Sequence, residues 1–342
     1  VENCNIKVIL TLSQQRRSYT KLTCKSIEIS DDLLDQEDKN FVGVDLTGDD
    51  NAYILYTSGS TGLPKGILHT HKSGFSFAKL CQLTFGIKET DIIANHAPIF
   101  FDISTLAYFA GPLCGACTLI IPDAHTIMAA SMLDLISKEN ITIWYSVPLA
   151  LIQMHDTGKL VSEALESLRI VFYAGEPFHP RQLRLLMESL PNRKIINVYG
   201  PTETNICTFH EIIKSPEVED RIPIGKTWAQ TNYKIVDEEL LIKSVTNMKA
   251  YWAKPKLTER AFVEIDSDTY YKTGDLVEEI DQLLYLKGRR DHQIKFRGFR
   301  IELGDIEHAF KKHLAVKEAV ALLLQNQEGQ DEIVCVLKIV GE

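Results

Sequence analysis

No stretch of this 342-residue chain approaches the roughly 18 to 20 uninterrupted apolar residues that a membrane-spanning helix needs. Nor does the start at Val1 show the basic, apolar and small-residue order of a secretory leader, so a cytoplasmic location is expected. Cysteines are few: Cys4, Cys24, Cys81, Cys114, Cys117, Cys207 and Cys335 are odd in number and scattered, which argues against a disulfide framework. The C-x-x-C from Cys114 to Cys117 lacks a second pair and lacks a histidine cluster at zinc spacing, so no zinc or redox site is expected there. An excess of basic charge is missing too. With a formal net charge of −9, the chain is a poor general partner for nucleic acid, whose phosphates call for clustered Lys and Arg. Internal repeats and low-complexity tracts are likewise absent.

What is present is a globular composition, 45% hydrophobic and 24% charged, over a length that suits one large α/β domain plus a smaller one. The apolar runs NIKVILT, AYILYT, CTLIIP, ITIWYSVP, LRIVFYAG and KIINVYG alternate with amphipathic segments such as AASMLDLISKE and RQLRLLMESL. That alternation predicts a parallel or mostly parallel sheet flanked by helices. From Pro223 onward shorter strands (NYKIV, ELLIKS, LLYLKG) predict an antiparallel, barrel-like subdomain. A basic segment, GRRDHQIKFRGFR, then precedes a helix, ELGDIEHAFKKHL, and two apolar strands, EAVALLL and EIVCVLKIV. The expected organisation is an N-terminal core over 1–290 and a small α+β domain over 291–342, with Asp291 at the boundary.

The stretch YILYTSGSTGLPKGILHTH places a glycine- and hydroxyl-rich turn and a lysine directly behind an apolar strand. Bare backbone N–H groups in such a turn can converge on an anion, and the lysine adds a mobile positive charge. The pattern is not a Walker A loop, because Pro64 rather than glycine precedes Lys65. On composition alone, a phosphate-holding loop and a surface turn rich in small polar residues both remain open.

YTSGSTGLPKG at 56–66 resembles the phosphate loop of the adenylate-forming superfamily, which includes acyl-CoA synthetases, luciferases and amino-acid adenylation domains. Further motifs follow in the family's order. NVYGPTET at 197–204 is similar to Y-G-x-T-E, YKTGDL at 271–276 to Y-[RK]-T-G-D-L, and GRRDHQIKFRG at 288–298 to the hinge motif, with FRIELGDIE after it. The resemblance implies an ANL-type α/β fold: helix-flanked sheets, a barrel-like β subdomain and a mobile C-terminal domain. It also implies one reaction, in which a carboxylate attacks the α-phosphorus of ATP and pyrophosphate leaves.

By that resemblance Thr57, Ser58, Gly59, Ser60, Thr61, Gly62 and Lys65 would hold the β- and γ-phosphates, and Glu203 would bind Mg2+. Thr202 would reach the α-phosphate. Asn197 and Tyr199 would address adenine, with Gly175, Glu176, Val198 and Gly200 completing the nucleotide site. Asp275 would accept both ribose hydroxyls and Arg289 would add a donor. Read alone, Asp275 is equally a cap or turn residue.

In APIFFDISTLAYF, Asp102 follows Phe101 where amino-acid adenylation domains carry an aspartate that pairs with the substrate's α-ammonium. The competing reading is an N-cap of the helix beginning ISTLAYF. Carried over position by position, the pocket is Phe101, Asp102, Ile103, Leu106, Tyr145, Phe172, Ala174, Val198, Ile206 and Cys207, almost entirely apolar beyond Asp102 and Tyr145. Charged side chains would find no partner there. Read singly, Leu106, Val198 and Ile206 are each better taken as core packing. The set resembles that of free-standing prolyl-carrier-protein ligases, and proline is the expected substrate.

The resemblance further implies that the small domain swings about Asp291, after which a phosphopantetheine thiol on a separate peptidyl carrier protein attacks the acyl carbon. Arg290, Lys295, Arg297 and Arg300 would meet that arm or an acidic carrier, or form a solvated basic face. An acyl- or aryl-CoA synthetase and an inactive nucleotide-binding fragment are the alternatives. Relative to the family the chain is expected to be incomplete at both ends, lacking an upstream sheet subdomain and the C-terminal P-x-x-x-x-G-K lysine. The hairpin in KIVDEELLIKS also reads as shortened between Asp237 and Leu240.

Overall fold

The structure, a computed structural model, describes residues 4, 6–11, 24–29, 43–57, 64–160, 165–291, 293–296, 299–325 and 331–339. The chain divides into two compact units, Val1–Thr47 and Gly48–Glu342. In the first, β1 (Val8–Thr11) and β2 (Lys25–Glu28) pair in parallel, Val8 opposite Lys25 and Thr11 opposite Glu28.

The second unit opens with β3 (Asn51–Thr57) and β4 (Lys65–Thr70), an antiparallel pair from which helix α1 (His71–Phe85) leaves directly. Thr70 and Ser73 cap the start of α1 reciprocally, and Gly86 ends it in the left-handed conformation. A larger sheet follows, built on β5 (Ile92–Asn95), β6 (Cys117–Ile120), β7 (Ile143–Ser146), β8 (Ile170–Tyr173) and β9 (Lys194–Tyr199). These five run parallel in the order β6-β5-β7-β8-β9. Helices α2 (Ala129–Lys138), α3 (Pro148–Asp156) and α4 (Pro180–Ser189) lie in the connections. β10 (Thr208–Glu211) and β11 (Lys226–Thr227) extend the sheet antiparallel beyond β9.

β7 and β8 are buried at every position because successive side chains feed two different cores. Trp144, Val171 and Tyr173 enter one core with Met154 and Leu183. Ile143, Tyr145, Ile170 and Phe172 enter the other with Phe77, Leu80 and Leu106. At the foot of the sheet, the buried Asp91 is held by Arg169 through Nε (2.7 Å) and Nη2 (2.5 Å).

The barrel-like part contains β12 (Thr231–Val236), β13 (Glu239–Ser244), β14 (Ala250–Tyr251), α5 (Pro255–Ala261), β15 (Phe262–Ile265), β16 (Asp268–Ile280) and β17 (Leu283–Arg289). All of its strand pairings are antiparallel, in the order β12-β13-β16-β15 with β17 on β16, while β14 crosses to pair with β4. Among the described residues of 293–339 are two antiparallel strand pairs and a helix: β18 (Gln293–Phe296) with β19 (Phe299–Glu302), α6 (Leu303–Lys311), then β20 (Val316–Gln325) with β21 (Asp331–Ile339). No helix among the described residues is long and apolar enough to cross a membrane.

Two local expectations are corrected. AYILYT and NIKVILT do not join the large parallel sheet. β3 belongs to a three-stranded antiparallel sheet with β4 and β14, and β1 pairs with β2 alone among the described residues. The burial of β3 gives the reason, since it is largely exposed or half-exposed where β7 and β8 are buried throughout. The hairpin of KIVDEELLIKS closes in a tight turn. Val236 faces Glu239 across a two-residue turn in which Asp237 (φ 49°) and Glu238 (φ 64°) are both left-handed, the turn that matches strand twist.

Candidate active site

A cavity of about 210 Å³ opens at the carboxyl ends of the parallel strands, the place where open α/β sheets take their ligands. The sheet contributes Tyr145, Ala174 and Gly175; the turn after β5 contributes Phe100, Phe101, Asp102, Ile103 and Thr105. The β9–β10 connection contributes Gly200, Pro201, Thr202, Asn205 and Ile206. β3 adds Tyr56 and Thr57, α1 adds Phe77, and the barrel adds Asp275 and Arg289. That connection folds so tightly that a Cβ on Gly200 would lie 1.6 Å from the Asn205 carbonyl oxygen.

Asp102 begins a short 3-10 turn, Asp102–Ser104, whose capping position is Phe101 and whose start has no side-chain cap. The Asp102 side chain is therefore not spent on the helix. Its Oδ2 accepts a hydrogen bond from Thr202 Oγ1 at 2.6 Å, and the carboxylate lines the cavity. Around it Ile103, Ala174, Ile206 and Phe101 are apolar, and Tyr145 is 6% exposed with its phenol pushed up by burial and then by the Asp102 charge.

Behind this wall lies a buried ion pair. Glu203 is fully buried, and its Oε1 meets Lys65 Nζ at 3.0 Å and the Tyr251 hydroxyl at 2.8 Å. His69, two strand repeats after Lys65 on the same face of β4, meets the Thr202 carbonyl through Nε2 at 3.0 Å. Its burial lowers the imidazole pKa from 6.5 to about 4, against the opposing pull of the Thr202 carbonyl, so the ring is neutral and Nε2 carries the donated proton. Tyr53 stacks on it, rings 4.8 Å apart, and accepts from Asn205 Nδ2 at 3.3 Å. Residues 202 to 205 are thus held by the three-stranded sheet.

On the barrel side Asp275 Oδ2 accepts from the Tyr199 hydroxyl and Oδ1 from Arg289 Nη1, each at 2.6 Å. Burial first, and the Asp275 charge second, push the Tyr199 phenol up. Arg289 also grips Asp291 with two bonds, Nε to Oδ1 at 2.7 Å and Nη2 to Oδ2 at 2.9 Å.

The structure brings together, around one cavity, the predicted Thr57, Phe101, Asp102, Ile103, Tyr145, Ala174, Gly175, Gly200, Thr202, Ile206, Asp275 and Arg289, with Lys65, Glu203 and Tyr199 directly behind them. It does not bring all the others. Leu106, Phe172 and Val198 are core residues at 0 to 1% exposure. Cys207 belongs to a different core, its thiol donating to the Tyr199 carbonyl, and Asn197 donates to the Pro223 carbonyl. Glu176 is half-buried outside the cavity lining. Ser58, Gly59, Ser60, Thr61 and Gly62 lie outside the described residues, as do Arg297 and the side chains of Lys295 and Arg300. Arg290 is tied to the barrel through Glu239 Oε2 (3.1 Å) and the Asp237 carbonyl (3.1 Å). Sequence reasoning missed His69, Tyr251, Asn205, Tyr56 and Phe77. His69 alone had a signal, its spacing from Lys65 in KGILHT.

The donor set fits a nucleoside triphosphate. Thr57 Oγ1 is a buried hydroxyl at the cavity with no hydrogen-bond partner among the described residues, which suits a phosphate oxygen. Among the described residues no group of three His, Cys, Asp or Glu could hold a metal ion by itself. A single carboxylate, Glu203, is the kind of site where Mg2+ is held together with substrate phosphates.

The fold and site define the class: the chain overlays on the Vibrio cholerae adenylation domain AlmE, solved with glycyl-adenosine-5'-phosphate, with a TM-score of 0.81 over 98% of this chain and 67% of that one at 24% identity. The fused adenylation-PCP protein NpsA-ThdA of Klebsiella oxytoca gives 0.82 over 98% and 69%, also at 24% identity. The AMP-binding enzyme family model matches residues 1–252, and the chain belongs to that family. It is 37% identical over 289 residues to an L-proline--[L-prolyl-carrier protein] ligase of Pseudomonas fluorescens, covering 81% of this chain and 56% of the relative. A protein of the same name from Streptomyces coelicolor is 37% identical over 296 residues, covering 81% and 54%. The chain spans about half the length of these curated relatives.

Proposed function

We propose that this chain carries the active site of an ATP-dependent ligase that activates an amino acid, L-proline, and passes it to the thiol of a peptidyl carrier protein. The observation that carries this reading is Asp102, a carboxylate that caps no helix and lines the cavity together with the apolar Phe101, Ile103, Ala174 and Ile206. Asp102 is half-buried, and a partly desolvated carboxylate gains from a cationic partner, which an α-ammonium supplies. The names of the two curated relatives support proline, and Ile103, Ala174 and Ile206 suit its apolar ring.

In the first half-reaction a substrate carboxylate oxygen attacks the α-phosphorus of ATP. The bond from that phosphorus to the bridging oxygen breaks, and pyrophosphate leaves. Asp102 orients the amino acid, and the Thr202 hydroxyl, whose single proton goes to Asp102 in the structure, turns it to the α-phosphate. Thr57 and Lys65 offset the charge of the leaving pyrophosphate. Glu203 is the residue that would hold Mg2+ together with phosphate oxygens, and the ion would supply charge neutralisation on the triphosphate. Asp275 accepts the ribose hydroxyls, an exchange in which it gives up its bonds from Tyr199 and Arg289. In the second half-reaction the pantetheine thiolate attacks the acyl carbon and AMP leaves. Residues 291–342 turn about Asp291 between the two steps, and the protein works in the cytoplasm.

The test is substrate-dependent exchange of pyrophosphate into ATP by the full-length protein, across amino acids and matched acids lacking the α-amine. Exchange with proline, strongly reduced in Asp102→Ala, is expected. Equal exchange with des-amino acids overturns the ammonium role and points to a CoA synthetase.

A further inference from the structure

We infer that Tyr251 is a positioning residue for this reaction, holding Glu203 in place while Lys65 moves from the carboxylate to the nucleotide. The inference rests on the adenylation reading above. Tyr251 touches both members of the buried pair by different chemistry. Its hydroxyl donates to Glu203 Oε1 at 2.8 Å and accepts from Lys65 Nζ at 3.3 Å. Its ring lies against the same ammonium, with Nζ 4.8 Å from the centroid.

The phenol itself is fixed from several sides. It is 4% exposed, and its strand pairs Tyr251 with Ile67 and Ala250 with Leu68 on β4, the strand that begins at Lys65. The Tyr251 N–H donates to Thr258 Oγ1 at 3.0 Å, and the Trp252 N–H to the Gly66 carbonyl at 2.8 Å. Glu203 is anchored too, its carbonyl accepting from the Met248 N–H at 2.6 Å. Of the three residues, Lys65 has the long flexible stem and the larger side-chain exposure, 12% against none for Glu203.

These constraints assign different jobs. When phosphate draws the ammonium away, Glu203 Oε1 stays buried and needs a donor that does not leave with it. The Tyr251 hydroxyl is such a donor, 2.8 Å from Oε1. With Oε1 satisfied, the carboxylate keeps its place beside Thr202 of the cavity wall, from which it would hold the cation.

The test is calorimetric binding of α,β-methylene-ATP with Mg2+, which cannot react through the α–β bridge, to the full chain and its Tyr251→Phe variant. Phe keeps the ring and removes only the hydroxyl. Affinity is expected to fall about 10-fold, the usual worth of a hydrogen bond to a charged group, while L-proline binding stays within about two-fold. In a Glu203→Gln background the same substitution is expected to cost less than about three-fold, because the charge it serves is gone. Equal losses in both backgrounds, unchanged nucleotide affinity, or a parallel loss of proline binding would each overturn the positioning role. A failure of the unsubstituted chain to bind nucleotide overturns the adenylation reading itself, and is told apart because it appears before any substitution.

Discussion

Thr202 and Asp102, 100 residues apart in the chain, are joined by a 2.6 Å hydrogen bond in which the threonine hydroxyl donates to Asp102 Oδ2. One residue belongs to the proposed phosphate site and the other to the proposed ammonium site, so the two ends of the reaction share a contact. Asp102→Ala removes a charge-assisted interaction of about 1.5 to 3 kcal/mol. The expected result is a fall of roughly 10- to 150-fold in kcat/KM for the amino acid. Steady-state exchange kinetics read this directly, and retention of full kcat/KM would remove Asp102 from the substrate site.

Arg289 joins Asp275 in the cavity to Asp291 at the proposed hinge. A lysine in its place keeps the charge but cannot hold two carboxylates with one planar fork. Arg289→Lys is expected to raise KM for ATP about 10-fold, the scale of one charged hydrogen bond, and to leave KM for the amino acid little changed. Limited proteolysis near Asp291 should also quicken. An unchanged cleavage rate would show that Arg289 does not restrain that segment.

Much of this was legible in the sequence, for identifiable reasons. Strands such as IWYS and IVFY are buried at every position, and apolar but for Ser146, because each side feeds a core. Asp102, Thr202, Lys65 and Asp275 sit in motifs whose spacing survives translation into three dimensions. The pocket assignment fared less evenly, because position in a motif does not say which way a strand residue points. Val198 and Cys207 flank the connection that builds the cavity wall, yet one enters the sheet core and the other the barrel core. Tyr251 gave no signal at all. It reaches Glu203 only because β14 crosses from the barrel to pair with β4, and that pairing follows no local pattern.

His69 carries a pH dependence whose sign follows from its burial. Its ordinary pKa of 6.5 applies to the unfolded chain, and the folded value is about 4. Above pH 6.5 both states hold neutral imidazole, and the contribution to stability is complete. As pH falls from 6.5 to 4 the unfolded chain takes up a proton that the folded one refuses, and stability declines by up to about 3 kcal/mol. Burial depresses His96 and His210 as well, so His69→Gln should flatten part of the slope and not all of it. Urea unfolding at pH 7, 5.5 and 4.5 on both proteins checks this; parallel slopes would mean that His69 is protonated in the fold.

Gly200 tests whether the β9–β10 connection positions chemistry or merely closes a turn. A Cβ there would meet the Asn205 carbonyl oxygen at 1.6 Å and its carbon at 2.7 Å, both backbone atoms, so the connection must open to admit it. Thr202 and Glu203 lie inside that connection, and Asn205 closes it against Tyr53. Displacing them breaks the bonds from Thr202 to Asp102 and from Lys65 and Tyr251 to Glu203, while the two cores of the large sheet keep their own contacts. Gly200→Ala is therefore expected to cost about 1 to 3 kcal/mol of stability, the usual range for overpacking, and far more in activity, at least about 100-fold in exchange rate. Denaturation and exchange measured on the same preparation separate the two. A variant that loses stability but exchanges pyrophosphate at the original rate would show that the connection tolerates opening, and that Thr202 and Glu203 do not need the placement seen here.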